Sequence, residues 1–203
     1  MNDREAILAR IAPVALHKVR HPGAHPAPAL EDGWPAFAAR LASVGGAAHG
    51  PVARDALPRE MARVVSERAP GERVVAEPTA ASLLPAARLE TVDTAALPHS
   101  LADVAVGVAT GHVACAENGA VAVLGTDAPH RSLLVLCRHL VLLVEAAAVV
   151  PDLHTAFAAL PSDALEHHHL TWISGPSKTA DIELSLVYGA HGPLTLDVIG
   201  IGR

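Results

Sequence analysis

Amphipathic segments alternate with continuous aliphatic runs along most of the chain. Apolar residues recur at helical spacing over residues 34–44 and 55–68, which predicts two helices that each bury one face. Unbroken aliphatic runs over 104–108, 140–145 and 194–201 are typical of strands that are covered on both faces. Helices that interleave with such strands predict the α/β class, with a three-layer α/β/α arrangement around a mostly parallel sheet.

Shorter segments complete this organisation. Capping and turn signals predict helices over 2–12, 78–87, 152–160 and 180–187 and strands over 73–76, 119–124, 133–136 and 169–173. Residues 13–32 are rich in proline and histidine and are predicted to form a loop. The chain shows no internal repeat, and its 203 residues favour a single domain that spans 1–203.

Composition and charge narrow the classes of partner. Aromatic residues make up only 2% of the chain and the net charge is −6, so the basic patch with aromatic platforms that nucleic-acid binding requires is absent from the sequence. The longest apolar stretch, 133–150, is interrupted by Arg138, His139 and Glu145, which argues against a membrane span. The N-terminus is charged and has no apolar signal-peptide core, so we expect a cytoplasmic protein.

Cysteine and histidine spacing gives no metal site. The two cysteines, Cys115 and Cys137, lie in apolar runs and are predicted to be buried thiols, and two are too few for a four-cysteine iron–sulfur cluster. Thirteen histidines contain no HExxH pattern and no Cys/His quartet, so we predict no metal centre. Glycine-rich nucleotide-binding patterns of the GxGxxG and GxxxxGK types are also missing, so the identity of any cofactor stays unknown.

Residues 173–183 combine the signals of a strand end, a tight turn and a helix start. Gly175 and Pro176 end the preceding strand, and Ser177 or Thr179 is predicted to cap a helix that follows. Because open α/β sheets bind ligands at the carboxyl ends of their strands, this turn is predicted to form a ligand site. The predicted ligand-binding residues of the turn are Gly175, Ser177, Lys178, Thr179 and Asp181.

A second polar segment, residues 111–119, interrupts the apolar middle of the chain. Glu117 is the candidate catalytic carboxylate, as a nucleophile or general base, with Asn118 and Gly119 as neighbouring ligand-binding residues. The alternative is structural: Glu117 accepts hydrogen bonds from nearby backbone amides, and Asn118 with Gly119 only turns the chain.

A third candidate, Arg131, lies in the polar loop of residues 127–132. Its guanidinium is suited to binding a carboxylate or phosphate through two parallel hydrogen bonds. The alternative is that this loop is an exposed connection without a ligand.

The C-terminal motifs resemble a known family. Residues 174–183, followed by Gly-Ala-His-Gly-Pro over 189–193, resemble the C-terminal signature of the LUD-domain proteins, formerly a domain of unknown function, and within them the lactate-utilization protein C subgroup. Residues 103–119 and 139–152 support the resemblance, which is good over roughly 100–203. The helical N-terminal region, 1–70, matches weakly.

The resemblance implies a fold similar to the NagB/RpiA/CoA-transferase-like group. It also implies a non-redox subunit or accessory protein that takes part in oxidising L-lactate to pyruvate, alongside iron–sulfur partner proteins. In that role the turn at Gly175 to Asp181, with Glu117 and Arg131, would bind a small anionic ligand or a cofactor of unknown identity. Lys178 would offset the charge of a bound anion.

Two departures from the family pattern open other functions. The family usually has an acidic residue where this chain has His112, and Glu-Thr-Gly-Thr where residues 117–120 read Glu-Asn-Gly-Ala. Glu-Asn-Gly resembles the catalytic motif of class I CoA-transferases, so one alternative is an acyl-CoA transferase or hydrolase with Glu117 as the nucleophile. Because such enzymes usually need two of these domains, that function requires a homo-oligomer. The other alternative is a ligand-binding regulatory module in which Asp181 and Glu183 only stabilise a helix.

Overall fold

The computed structural model describes residues 3–11, 33–85, 87, 89–162, 164, 169–179 and 186–202. The helices in these residues are Asp3–Ile11 (α1), Gly33–Ser43 (α2), Leu57–Arg68 (α3), Pro78–Leu83 (α4), Leu133–Leu136 (α5) and Leu153–Ala158 (α6). The strands are Ala47–Val52 (β1), Val74–Ala76 (β2), Glu90–Thr91 (β3), Val106–Gly111 (β4), Val113–Cys115 (β5), Ala120–Leu124 (β6), His139–Glu145 (β7), Val149–Val150 (β8), Leu170–Ile173 (β9), Lys178–Thr179 (β10), Val187–Tyr188 (β11) and Thr195–Ile201 (β12). Across the described ranges, no helix is both long and apolar enough to cross a membrane.

The centre of the fold is a six-stranded, fully parallel sheet in the order β1-β12-β7-β4-β2-β3. Strand β12 pairs with β7 without a register shift, from Thr195 opposite His139 to Ile201 opposite Glu145. The interior residues of both strands are buried, as the unbroken aliphatic runs of the sequence predict. The predicted parallel sheet is therefore confirmed.

Both faces of the sheet are covered. Val141 and Leu143 of β7 pack with Met61 of α3 on one face, where α4 also contributes to the core. The alternating residues Leu140 and Leu142 pack on the other face, in a cluster that includes residues of α2 and α5. This arrangement confirms the three-layer α/β/α architecture.

A second sheet adds to the face that carries α2. Its order is β8-β5-β6-β9, with β6 antiparallel to both β5 and β9 and β8 parallel to β5. The sequence predicts β6 and β9 as strands, but it contains no signal that they leave the central sheet. The small sheet matters for function because β9 ends at the turn that contains Gly175.

One buried carboxylate joins α3 to the central sheet near the edge where the strands begin. Asp197 of β12 accepts a hydrogen bond from His49 Nε2 at 2.7 Å and two from Arg68 at 2.8 and 2.9 Å. Burial alone would raise the pKa of Asp197, but the hydrogen bonds from His49 and Arg68 outweigh it and hold the pKa below its ordinary value. A fully satisfied ion pair therefore fixes α3 against β12.

One predicted element near the ligand turn is wrong, and a second is described only at its end. Residues 133–136 form the helical turn α5 and not a strand, because a four-residue apolar run has no periodicity that separates the two. Lys178 and Thr179 pair antiparallel with β11, so no helix begins at Ser177, and Val187, the last residue of the predicted helix 180–187, is in a strand. The middle of the predicted helix, including Asp181 and Glu183, lies outside the described residues.

The N-terminal region contains a strand that the sequence analysis did not predict. Strand β1 forms the edge of the central sheet and pairs in parallel with β12. Its sequence, Ala-Ala-His-Gly-Pro-Val, lacks the β-branched pattern of the inner strands, and Pro51 is compatible with the edge position only. The region 33–68 is therefore mixed and not purely helical.

Candidate functional site

The two polar turns of the sequence meet in the structure. Ser174, which directly follows β9, donates a hydrogen bond from Oγ to the backbone carbonyl of Asn118 at 2.7 Å. The side-chain Oδ1 of Asn118 accepts a hydrogen bond from the backbone N–H of Ala120 at 3.0 Å, which closes the turn between β5 and β6. Segments that are 56 residues apart in the chain thus form one structure.

Both turns press against the end of helix α2, and each needs a glycine to do so. Gly119 and Gly175 have positive φ angles of 67° and 77°. A Cβ on Gly119 would lie 3.0 Å from the backbone N and Cα of Leu41, and one on Gly175 would lie 2.5 Å from the carbonyl oxygen of Val44. The end of α2 therefore fixes the position of both turns.

Lys178 also binds the end of α2. Its Nζ donates a hydrogen bond to the carbonyl oxygen of Val44 and lies 5.7 Å from the centre of the Tyr188 ring. A cation at a helix C-terminus is favourable because the last carbonyls carry partial negative charge. For Lys178 to neutralise a bound anion, as the sequence analysis predicts, its side chain would have to leave this carbonyl.

A cavity of about 260 Å³ opens beside the Gly175 turn. Its lining includes Gly175 and Ser177 of the turn and Leu134 and Val135 of α5. Most of the lining is apolar, with hydroxyl groups from Ser177, Ser174 and Thr171 among its polar atoms. A concave apolar site with a few placed polar groups is typical of small-molecule binding.

Glu117 lies next to this cavity but is not one of its lining residues. The side chain is exposed, and Oε2 accepts a hydrogen bond from the backbone N–H of Leu153, the first residue of α6, at 3.0 Å. Asp152 accepts a second one from the N–H of Thr155 at 2.7 Å, a bond that helps to hold the pKa of Asp152 below its ordinary value. Two carboxylates therefore bind the N–H groups at the start of α6, the structural arrangement considered for Glu117 from the sequence.

Arg131 is directed to the opposite end of β9. Its Nη1 lies 2.9 Å from Nδ1 of His169, which directly precedes β9, whereas Ser174 and Gly175 follow that strand. The structure therefore brings together Asn118, Gly119, Gly175, Ser177 and Lys178 but not Arg131. Thr179 lies one residue further along, in β10, and Asp181 is outside the described residues.

A group of buried polar side chains lies at the edge where the central strands end, and no sequence pattern predicts it. Glu77, directly after β2, is fully buried, and its Oε2 accepts a hydrogen bond from the N–H of His130 at 3.4 Å. Burial raises the pKa of Glu77, and the N–H of His130 opposes that rise only in part. In the described part of the chain, Oε1 of Glu77, Nδ1 of His130 and Oγ1 of Thr110 are buried without a hydrogen-bond partner.

Comparison with known proteins gives matches over most of the folded region. The family model described as LUD domain matches residues 62–201. Lactate utilization protein C of Deinococcus radiodurans is 35% identical over 112 residues, which cover 54% of this chain and 53% of that protein. The protein of the same name from Shouchella clausii is 33% identical over 92 residues, covering 44% of this chain and 40% of that protein. The chain thus matches about half or less of the length of these relatives.

A solved structure shares the fold. The crystal structure of a DUF162 family protein from Deinococcus radiodurans aligns with a TM-score of 0.65 at 18% sequence identity. The alignment covers 82% of this chain and 94% of that chain. The three-layer architecture with its parallel central sheet is therefore common to both.

Proposed function

The chain belongs to the LUD-domain family, and from that premise we propose that it acts in the oxidation of L-lactate to pyruvate as a non-redox component of an iron–sulfur complex. Relatives named lactate utilization protein C support the pathway. The two cysteines support a non-redox role, because they are too few for a four-cysteine cluster. Both are buried, and burial raises the pKa of Cys137 to about 12, which suppresses thiolate chemistry. In this proposal the iron–sulfur centres belong to partner proteins.

The observation that carries the proposal is that the signature turn forms the wall of a cavity. Gly175 and Ser177 belong to the motif that carries the family resemblance, and both line the 260 Å³ cavity. Its size and apolar lining suit a small organic anion or part of a cofactor, held by the hydroxyl of Ser177. Backbone N–H groups around a positive-φ glycine are a further means of binding an anion without a lysine.

Growth on L-lactate as the sole carbon source tests this proposal. A strain with an in-frame deletion of this chain, and without another lactate dehydrogenase, is expected to fail to grow and to recover with the wild-type gene. Val135→Phe and Leu136→Phe then form a matched pair. Both residues are exposed on α5, but only Val135 lines the cavity. We expect Val135→Phe to fill the cavity and abolish rescue, and Leu136→Phe to rescue fully.

Either of two results contradicts the proposal. Normal growth of the deletion strain excludes a required role in lactate oxidation. Full rescue by Val135→Phe, with the phenylalanine shown by circular dichroism and thermal unfolding to leave the fold intact, excludes the cavity as a required ligand site.

A second candidate function is acyl-CoA transfer or hydrolysis through Glu117, in a homo-oligomer. The observation that favours it is the exposure of the Glu117 carboxylate on a turn fixed by Gly119 and Ser174. Incubation with a panel of acyl-CoA thioesters followed by hydroxylamine would mark a covalent glutamyl intermediate at residue 117, detectable by mass spectrometry. Protein that stays unmodified with the whole panel excludes this function, and Glu117→Gln is the blank.

A further inference from the structure

A second cavity, of about 320 Å³, lies at the edge of the central sheet where the strands end. Its lining includes the ends of three central strands: Thr110 and Gly111 of β4, Leu143 and Glu145 of β7, and Ile201 of β12. In open parallel α/β sheets, ligands bind in the crevice outside the carboxyl ends of the strands. This cavity has that position, whereas the cavity beside Gly175 lies between the two sheets.

The chemistry of the lining favours a cation over an anion. Asp127 and Glu145 place two carboxylates on the cavity, and the described lining includes no lysine or arginine. Glu145 is already paired with Arg54, which lies outside the cavity. Asp127 has no ion-pair partner among the described residues: burial raises its pKa, and the nearby His112 and a hydrogen bond from the backbone of Leu124 oppose that rise only in part. Asp127 is therefore a half-buried carboxylate whose charged form lacks a full counter-charge.

An independent observation points to a ligand at the same place. Thr110 is 8% exposed and lines the cavity, and its hydroxyl has no hydrogen-bond partner in the described residues. Leaving a buried hydroxyl unsatisfied costs about 1–3 kcal/mol, so native structures rarely keep one without a reason. A ligand in the cavity is a source of the missing partner.

We propose that this cavity binds a small primary amine with an apolar body, with its ammonium group against Asp127 and Thr110. The apolar body lies against Leu83, Leu143 and Ile201, the aliphatic part of the lining. The ammonium group supplies the counter-charge that Asp127 lacks and donates to the hydroxyl oxygen of Thr110. This site is separate from the cavity beside Gly175 and does not depend on a role in lactate oxidation.

Three probes of one size test the proposal: n-butylamine, n-butanol and sodium butyrate, each titrated into the full chain. Binding is followed by the backbone amide signals of Gly111, His112 and Asp127 in two-dimensional NMR spectra. We expect saturable shifts with butylamine, weaker ones with butanol and none with butyrate.

Two matched variants locate the recognition. Asp127→Asn is expected to weaken butylamine binding about tenfold or more, the effect of losing a charged hydrogen bond. Asp103→Asn makes the same charge change at the opposite end of β4, where Asp103 pairs with Arg73, and is expected to leave binding unchanged. Thr110→Val is expected to weaken binding several-fold while the protein stays folded.

The proposal is overturned if butylamine gives no saturable shifts at these amides or if butyrate binds as tightly. It is also overturned if Asp127→Asn and Thr110→Val, each shown to be folded by its spectrum, bind butylamine as the wild type does. Neither result bears on growth on L-lactate, so failure here and failure of the proposed function are distinguishable.

Discussion

The two edges of the central sheet differ in whether their buried polar groups have a full set of hydrogen-bond partners. Near the edge where the strands begin, Asp197 is buried with a complete set of partners from His49 and Arg68. At the edge where they end, Glu77 and Thr110 are buried with polar atoms that lack a partner among the described residues. A hydrogen-bond network in which every polar group has a partner stabilises the fold. Buried polar groups without partners lower stability and are typical of binding or catalytic sites. The edge with Asp197 therefore contributes stability, and the edge with Glu77 and Thr110 is the one suited to a functional site.

The largest expected loss of stability comes from removing the buried carboxylate of Asp197. Asp197→Ala leaves the Arg68 guanidinium and His49 without their buried acceptor, so we expect a loss of about 3–5 kcal/mol in the free energy of unfolding. Urea unfolding followed by circular dichroism measures it. Asp103→Ala is the control, since its ion pair with Arg73 is exposed and such pairs contribute about 0–1 kcal/mol. Equal losses in the two variants would contradict the special role of Asp197.

Replacing Glu77 is expected to change the free energy of unfolding by an intermediate amount that depends on pH. Because burial raises its pKa above the ordinary value of 4.5, its contribution to stability is fully present below that value and is lost as the pH rises through the folded-state pKa. Glu77→Gln keeps an acceptor for the N–H of His130 without the charge. We expect the variant to be more stable than the wild type by about 1 kcal/mol above neutral pH, and no more stable at pH 4.

The pH dependence of unfolding also separates the two edges. The pKa of Asp197 is lowered, so its contribution is present above its ordinary value and is lost as the pH falls through the folded-state pKa. Thermal unfolding across the pH range should therefore show an acid-side loss that Asp197→Asn removes and a loss on raising the pH that Glu77→Gln removes. If Glu77→Gln is less stable than the wild type at every pH, the buried carboxylate of Glu77 is not the cause of the loss of stability at high pH.

The smallest effect compares two threonines. The buried hydroxyl of Thr110 has no hydrogen-bond partner among the described residues, whereas Oγ1 of Thr195, at the start of β12, lies 2.9 Å from Nδ1 of His139. We expect Thr110→Val to raise the free energy of unfolding by about 0.5 kcal/mol and Thr195→Val to lower it by about 1 kcal/mol. Chemical denaturation of both variants under one condition checks the sign. Destabilisation by Thr110→Val equal to that by Thr195→Val would show that Thr110 has a partner after all.

The core of the fold could be predicted from the sequence because its signal is local. Strands β4, β7 and β12 are continuous aliphatic runs, and α3 repeats its apolar residues at helical spacing, so each element is visible in its own residues. Strand β1 could not be found this way, since only its partner β12 makes it a strand. The separate second sheet was hidden for the same reason.

The candidate site was predictable in part. The turns at Gly119 and Gly175 are visible from glycine beside polar residues, but their meeting at the end of α2 depends on contacts across more than 70 residues of chain. Lys178 was expected to face an anion, and the structure gives it the carbonyl of Val44 instead. Glu77 precedes Pro78 and looks like the start of a helix, so nothing in the sequence marks its carboxylate as buried.

The hydrogen bond from Lys178 to the end of α2 makes this residue a chemical reporter. The chain has only two lysines, Lys18 and Lys178, so amine-acylating reagents have few side-chain targets. An amine that is hydrogen-bonded to a carbonyl acylates more slowly than a free one, so Lys178 becomes more reactive once the Gly175 turn leaves α2. The acylation rate of Lys178, measured by mass spectrometry against a model peptide, would therefore record how often this turn opens, and whether a ligand or partner protein holds it closed.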